Sequence, residues 1–157
     1  MPKTNAMRML EDAKIPYKMF EYAVVKNGQY GQQAAAQLAM PADGIFKTLV
    51  TRGDNGRIHV FCIPVNHQLH LKKAAVVSRN KKIEMLPEKE VWPITGYKVG
   101  ACSPVGMKKA FPTYIDETAV LFDEIGVSAG IKGGEIVLNP TLLCNFVKGQ
   151  FADLTTE

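Results

Sequence analysis

The segment GIFKTLV, residues 44–50, decides how the rest of the chain is read. Ile45, Phe46, Leu49 and Val50 mark a strand, yet Lys47 and Thr48 stand in its middle. Side chains alternate along a strand with a period of two. Ile45, Lys47 and Leu49 therefore share one face, and Phe46, Thr48 and Val50 share the other. Both faces are largely apolar, so both are expected to be covered. A buried ammonium without a partner is costly. Two readings stay open: the lysine stem runs out to a sheet edge, or a polar cleft opens beside the strand.

Moving outward, RGDNGR (52–57) carries the Asn55-Gly56 turn signal and joins this strand to IHVFCIPV (58–65) as a hairpin. Upstream, Thr4 caps a helix expected to run through Lys14, with Met7, Leu10 and Ala13 on its inner face. IPYKMFEY (15–22) reads as a strand, and GQYGQQAAAQLAM (28–40) as a loop leading into an alanine-rich helix. Downstream, Asn66 is the expected cap of a helix in HQLHLKKAAVVS (67–78). KKIEML (81–86) reads as a short strand and PEKEVWPI (87–94) as a helical turn. FPTYID (111–116), AVLFDEIGVSAG (119–130) and EIVLNP (135–140) read as further strands. Asn139 and Pro140 suit the N-cap and first position of a last helix, with Gly149 just beyond its end. Together these elements predict a mixed α/β fold, one domain over 1–157, with about six or seven strands and short surrounding helices.

Composition narrows the class. At 157 residues, 46% apolar and 22% charged, the chain can bury an ordinary core as one soluble domain. No apolar run reaches membrane-spanning length and the first residues lack a signal-peptide pattern, so no membrane partner is expected. Three widely spaced cysteines fit a reducing cytoplasm better than a disulfide framework. The net charge of +4 permits a phosphate-bearing partner without demanding one.

Several constellations compete for the chemistry. His59, Cys62, His67 and His70 have a metal-like spacing, but His59 and Cys62 lie three apart on one strand and point to opposite faces. No metal and no cofactor is therefore expected. Cys102, Cys144, Ser103 and Ser128 are candidate nucleophiles, yet no G-x-S-x-G elbow is present. The glycine-rich stretches 95–106 and 127–138 are either tight turns or places where backbone N–H groups meet a ligand. Lys72, Lys73, Lys81 and Lys82 fall in a stretch, Asn66 to Ile83, that holds no acid. They form either a solvated face or a phosphate-binding rim. No base-reading motif accompanies them, so contact with a nucleic acid would be to its backbone.

In order and spacing, FKTLV (46–50), LKKAA (71–75), TGYKVGACSPVGMKK (95–109), IDETA (115–119) and VSAGIKGGEIVL (127–138) resemble the YbaK family of prolyl-tRNA editing proteins. The resemblance spans essentially the whole chain and is strongest to the free-standing branch that clears Cys-tRNA(Pro). It implies a mixed sheet curled around a small pocket, and an aminoacyl-tRNA deacylase of the cytoplasm. The partners it implies are aminoacylated tRNA(Pro) and prolyl-tRNA synthetase, with no DNA. It places the family's pocket lysine on Lys47 and its backbone site on Gly100, the two positions taken as catalytic. It places substrate contacts on Tyr22, Tyr30, Thr48, Ser128 and Glu135. Two departures stand out: Ala101 replaces a glycine of the family pattern, and Glu135 stands where relatives can carry Asp. The implied chemistry is attack of the substrate's own thiol on its ester. The alternatives are hydrolysis of Ala-tRNA(Pro), or a non-catalytic module that binds tRNA or a nucleotide.

Overall fold

The hairpin read from residues 46–64 is the centre of the larger sheet in the computed structural model, which describes residues 2–156. Strand β2 (Phe46–Gly53) pairs antiparallel with β3 (Ile58–Pro64), from Phe46 opposite Pro64 to Arg52 opposite Ile58. Strand β4 (Ile83–Met85) adds to the free side of β2. On the other side, β5 (Thr113–Asp116) lies parallel to β3, and β8 (Gln150–Ala152) lies parallel to β5. A second, antiparallel sheet is built from β1 (Lys18–Glu21), β7 (Gly134–Leu138) and β6 (Ile125–Ser128), in that order. The sheets touch through a parallel bridge between Ile45 and Gly126. The α/β class is as read, but the strands divide between two sheets, and β8 has no counterpart in the sequence reading. Three residues that pair only with a strand over thirty positions away leave no local signature.

Burial explains the division. Phe46, Val60 and Cys62 on one face of the hairpin meet Ile125, Val127, Ile136 and Leu138 of the second sheet. The opposite face, Leu49, Phe61 and Ile63, packs on Ala74 and Ala75 of helix α3 (Leu71–Val77). Strand β3 is thus covered on both sides, which is why it reads as a continuous apolar run. Phe61 is fully buried and stacks on Tyr114 with ring centroids 5.1 Å apart, so Phe61→Ala is expected to cost about 3–5 kcal/mol.

The caps set the remaining elements. Thr4 accepts the Met7 N–H at 3.2 Å and starts helix α1 (Asn5–Asp12), which buries Ala6, Met7 and Leu10. The helix stops short of the expected Lys14, and Ala13 is exposed, because Lys14 adopts a left-handed φ of 59° that turns the chain into β1. His70 caps α3 in place of Asn66, its Nδ1 accepting from the Lys73 N–H at 3.2 Å, while Asn66 donates to Asp43. The stretch 87–94 forms a fuller helix, α4 (Glu88–Thr95), with Pro93 inside it. The stretch 119–130 is not one strand. Asp116 accepts from the N–H and hydroxyl of Thr118 and starts a 3-10 turn over Glu117–Leu121, so only β6 is extended. Asn139 caps helix α5 (Pro140–Phe146) as expected, through the Leu142 N–H at 3.0 Å, although the left-handed residue after it is Lys148. The alanine-rich segment forms α2 (Tyr30–Leu38), and two of its glutamines brace the preceding loop. Gln37 bonds both backbone groups of Ala23, and Gln33 bonds Val25, Lys26 and Gly28.

Candidate active site

A cleft of about 440 Å³ is bordered by residues of both sheets, of α2, and of α4 with the loop that follows it. Tyr22, Tyr30, Lys47, Thr48, Gly100, Ser128 and Glu135 all border it. These seven residues, scattered over more than a hundred positions, come from the end of β1, the start of α2, β2, the loop after α4, β6 and β7. Register accounts for part of the grouping. Phe20, Glu135 and Ser128 lie opposite one another across the second sheet, so their side chains share a face. Tyr22 follows two places beyond Phe20, where its N–H donates to the Gly133 carbonyl at 2.9 Å.

Lys47 is half-buried, and its ammonium makes no hydrogen bond or ion pair with any described residue. Burial alone holds its pKa below the usual lysine value. Lys47 borders the cleft, which accords with the second reading of GIFKTLV. Glu135 is a second unpartnered ionisable group on the wall, and it is a buried one. It is 3% exposed, and its Oε2 has no hydrogen-bond partner. Burial pushes its pKa up to about 8, which favours the protonated carboxyl at neutral pH. Neither group's pKa carries an influence from the other. The cleft thus holds two separate polar anchors, one cationic and one poised to ionise.

The surrounding loop is held in one shape. Gly100 has φ +88°, and a Cβ there would lie 2.3 Å from Cε2 of Tyr30. Both the left-handed backbone and the ring packed against it require glycine. Gly31 plays a related part, since a Cβ there would collide with Val65 and push α2 off the hairpin. Ser128 donates its hydroxyl hydrogen to the Ala101 carbonyl at 3.0 Å and accepts the Gly130 N–H at 3.1 Å. Its hydroxyl therefore ties the Gly100 loop to the end of β6. Ala101, the departure from the family pattern, is buried, and its N–H goes to the Lys98 carbonyl. Thr48 stands 3.8 Å from the Cys62 sulfur. Burial pushes the Tyr22 hydroxyl pKa up, while at Tyr30 the Gly28 backbone and then Lys132 hold it below the usual value.

The cleft wall includes no histidine. Cys102 does border it, but burial raises its thiol pKa, and its sulfur lies 3.8 Å from the Lys98 carbonyl. A thiol in that setting is not activated as a nucleophile. All three cysteines are unpaired. The four residues with metal-like spacing are dispersed: Cys62 is in the core, His59 faces Asn80, His67 faces Asp43, and His70 caps α3.

The lysines of 72–82 do not border the cleft. Lys72 and Lys73 flank a separate shallow hollow beside Ala152, and Lys73 is paired with Asp153. Lys82 is paired with Glu84. Lys132 approaches the cleft through Tyr30, its Nζ 5.2 Å from that ring's centre, and Lys98 precedes the lining residue Val99 in sequence. The sequence reading missed both because it weighed dense charge runs. The available signal was a lone lysine inside each glycine-rich stretch, in GYKVG and GIKGG.

A family model for the aminoacyl-tRNA editing domain matches residues 27–146. The chain belongs to the aminoacyl-tRNA editing family. This editing domain is 47% identical over 155 residues to EbsC of Enterococcus faecalis, named as a candidate Cys-tRNA(Pro)/Cys-tRNA(Cys) deacylase, covering 99% of this chain and 94% of that protein. It is 27% identical over 146 residues to a proline–tRNA ligase of Elusimicrobium minutum, covering 90% of this chain but 25% of the ligase. Among solved structures, a candidate trans-editing enzyme for prolyl tRNA synthetase matches with a TM-score of 0.84 at 23% identity. That match covers 99% of this chain and all of the other, and it supports the fold. No helix among the described residues is long and apolar enough to cross a membrane.

Proposed function

We propose that the chain, acting as one editing domain over 1–157, is a trans-acting deacylase that clears cysteine from Cys-tRNA(Pro). The observation that carries this is a cleft whose desolvated ionisable groups Lys47 and Glu135 have no partner, with no activated protein nucleophile or histidine base. Such a site suits a substrate that brings its own nucleophile. The 47% identical relative's name points to the same substrate.

In this mechanism the cysteinyl thiol loses its proton and its sulfur attacks the ester carbonyl of the same residue. A C–S bond forms, the C–O bond to the terminal ribose breaks, and the proton passes to the ribose oxygen. The products are a cyclic thiolactone and free tRNA. Lys47 stabilises the negative charge, on the terminal phosphate or on the developing oxyanion. The Gly100 backbone N–H faces that oxyanion. Glu135 receives the substrate's ammonium, whose positive charge favours ionisation of the buried carboxyl. Tyr22 and Tyr30 wall the terminal adenosine, Thr48 lines the floor, and Ser128 keeps the Gly100 loop in place. Fixing a reactive ester in an attack geometry supplies much of the rate without a protein nucleophile. Lys72, Lys73, Lys81 and Lys82 lie outside the cleft and act on tRNA through the long-range field. The likeness to a segment of a proline–tRNA ligase supports action alongside prolyl-tRNA synthetase in cytoplasmic translation, on errors that a small apolar pocket passes.

Single-turnover deacylation of Cys-, Ser-, Ala- and Pro-tRNA(Pro) tests this reading. Cys-tRNA(Pro) is expected to be cleaved far faster than its near-isostere Ser-tRNA(Pro), because the thiol ionises more readily. Comparable rates for the two would sink substrate-thiol attack, and preferential cleavage of Ala-tRNA(Pro) would point to a bound water instead. Binding without any cleavage would leave only a tRNA-binding module.

A further inference from the structure

We propose that Trp92 and Lys98 form the entry platform for the unpaired 3′ end of the tRNA, with one base stacking on the indole and Lys98 meeting the adjoining phosphate. The inference rests on the deacylase reading for the identity of the ligand, but it concerns a surface outside the cleft.

Three observations carry it. Trp92, the chain's single tryptophan, is 52% exposed on α4, although a tryptophan ordinarily gives up most of its large apolar area to a core. The Lys98 ammonium lies 5.3 Å from the centre of the indole ring. Both residues adjoin the cleft in sequence, Trp92 next to the lining residue Val91 and Lys98 next to Val99. The Tyr30–Lys132 pair has the same composition, with Nζ 5.2 Å from the ring centre, and Tyr30 itself lines the cleft. Two pairs of an aromatic face and a lysine thus stand on segments that also contribute residues to the cleft.

The chemistry of that combination selects its occupant. A half-exposed aromatic face stacks on any base, and a lysine beside it neutralises the phosphate of the same nucleotide. An apolar peptide would leave both ammonium groups without a counter-charge. A single-stranded nucleic acid end carries bases and phosphates at alternate positions, and the aminoacyl ester hangs from such an end. Trp92–Lys98 then receives a nucleotide just before the one that enters the cleft.

Because Trp92 is the only tryptophan, its fluorescence reports on this surface directly. Titrating the protein with the trinucleotide CCA, and separately with uncharged tRNA(Pro), is expected to quench that emission. Trp92→Ala is expected to weaken tRNA(Pro) affinity by about 5- to 100-fold, with Trp92→Phe recovering most of it. The loss on a cysteinyl ester of adenosine alone is expected to be smaller, since that substrate lacks the stacked nucleotide. Lys98→Met and Lys132→Met are each expected to flatten the salt dependence of tRNA binding by about one phosphate contact. The proposal is overturned if tRNA(Pro) binds without quenching, or if Trp92→Ala binds it as the parent does. It is also overturned if the Lys72→Met/Lys81→Met double variant flattens the salt slope more than Lys98→Met and Lys132→Met together. A parent protein that cleaves no Cys-tRNA(Pro), yet binds tRNA with quenching and with an affinity that falls in Trp92→Ala and recovers in Trp92→Phe, would support the platform while removing the deacylase reading.

Discussion

Replacing Glu135 by glutamine is expected to stabilise the fold, and to do so more strongly as pH rises. The carboxyl is almost fully enclosed, Oε2 has no partner, and burial lifts its pKa from an ordinary 4.5 to about 8. The folded state therefore holds this proton more tightly than the unfolded chain. Stability from this group is fully present below pH 4.5 and is lost as pH rises through about 8. At about 1.36 kcal/mol per pH unit, the interval from 4.5 to about 8 corresponds to at most about 5 kcal/mol. By pH 7 about 3 kcal/mol of that has already gone. Glutamine keeps the shape and cannot ionise, so Glu135→Gln lacks this loss. Any fixed offset from the new amide cancels when the two proteins are compared across pH. Urea unfolding of parent and Glu135→Gln at pH 4, 7 and 9 measures the difference, provided both show the same m-value. The gap is expected to widen towards pH 9 in favour of the variant, while single-turnover deacylation falls because no charge can form opposite the substrate's ammonium. Stability curves that run parallel from pH 4 to pH 9 would refute the reasoning, since they would mean that the carboxyl is neither desolvated nor alone. A buried, unpaired acid that lowers stability fits a residue kept for binding rather than for folding.

Lys47→Met is expected to fold normally and melt at or above the parent temperature, because it removes a half-buried ammonium with no partner. Its single-turnover rate is expected to fall about a hundred- to a thousandfold, and an active but destabilised variant would make Lys47 scaffolding. Gly100→Ala is expected to lose activity through displacement of the Tyr30 ring and a left-handed backbone that costs about 1–2 kcal/mol for alanine; a parent-like rate would show that this loop does not shape the site. Cys102→Ala is expected to keep its single-turnover rate, and loss of that rate in a folded variant would restore a protein nucleophile.

The local sequence determined those features whose causes lie within a few residues of one another. Thr4 and Asn139 place their helices because a cap needs only the N–H three residues ahead. The period-two pattern through Lys47 and the Asn55-Gly56 turn specify the central hairpin. The spaced motifs shared with the editing family mark the cleft residues, although nothing local to each motif sets the contacts between them. Tertiary structure alone decided the split into two sheets, the parallel pairing of β8 with β5, and the displacement of the expected Asn66 cap by His70. It also decided that Ser128 spends its hydroxyl on Ala101 and that burial raises the pKa of Glu135 above that of a surface glutamate. Desolvation and hydrogen-bond partnership depend on which groups surround a side chain. In this fold those groups come from strands and loops that lie far apart in the chain and close together in space.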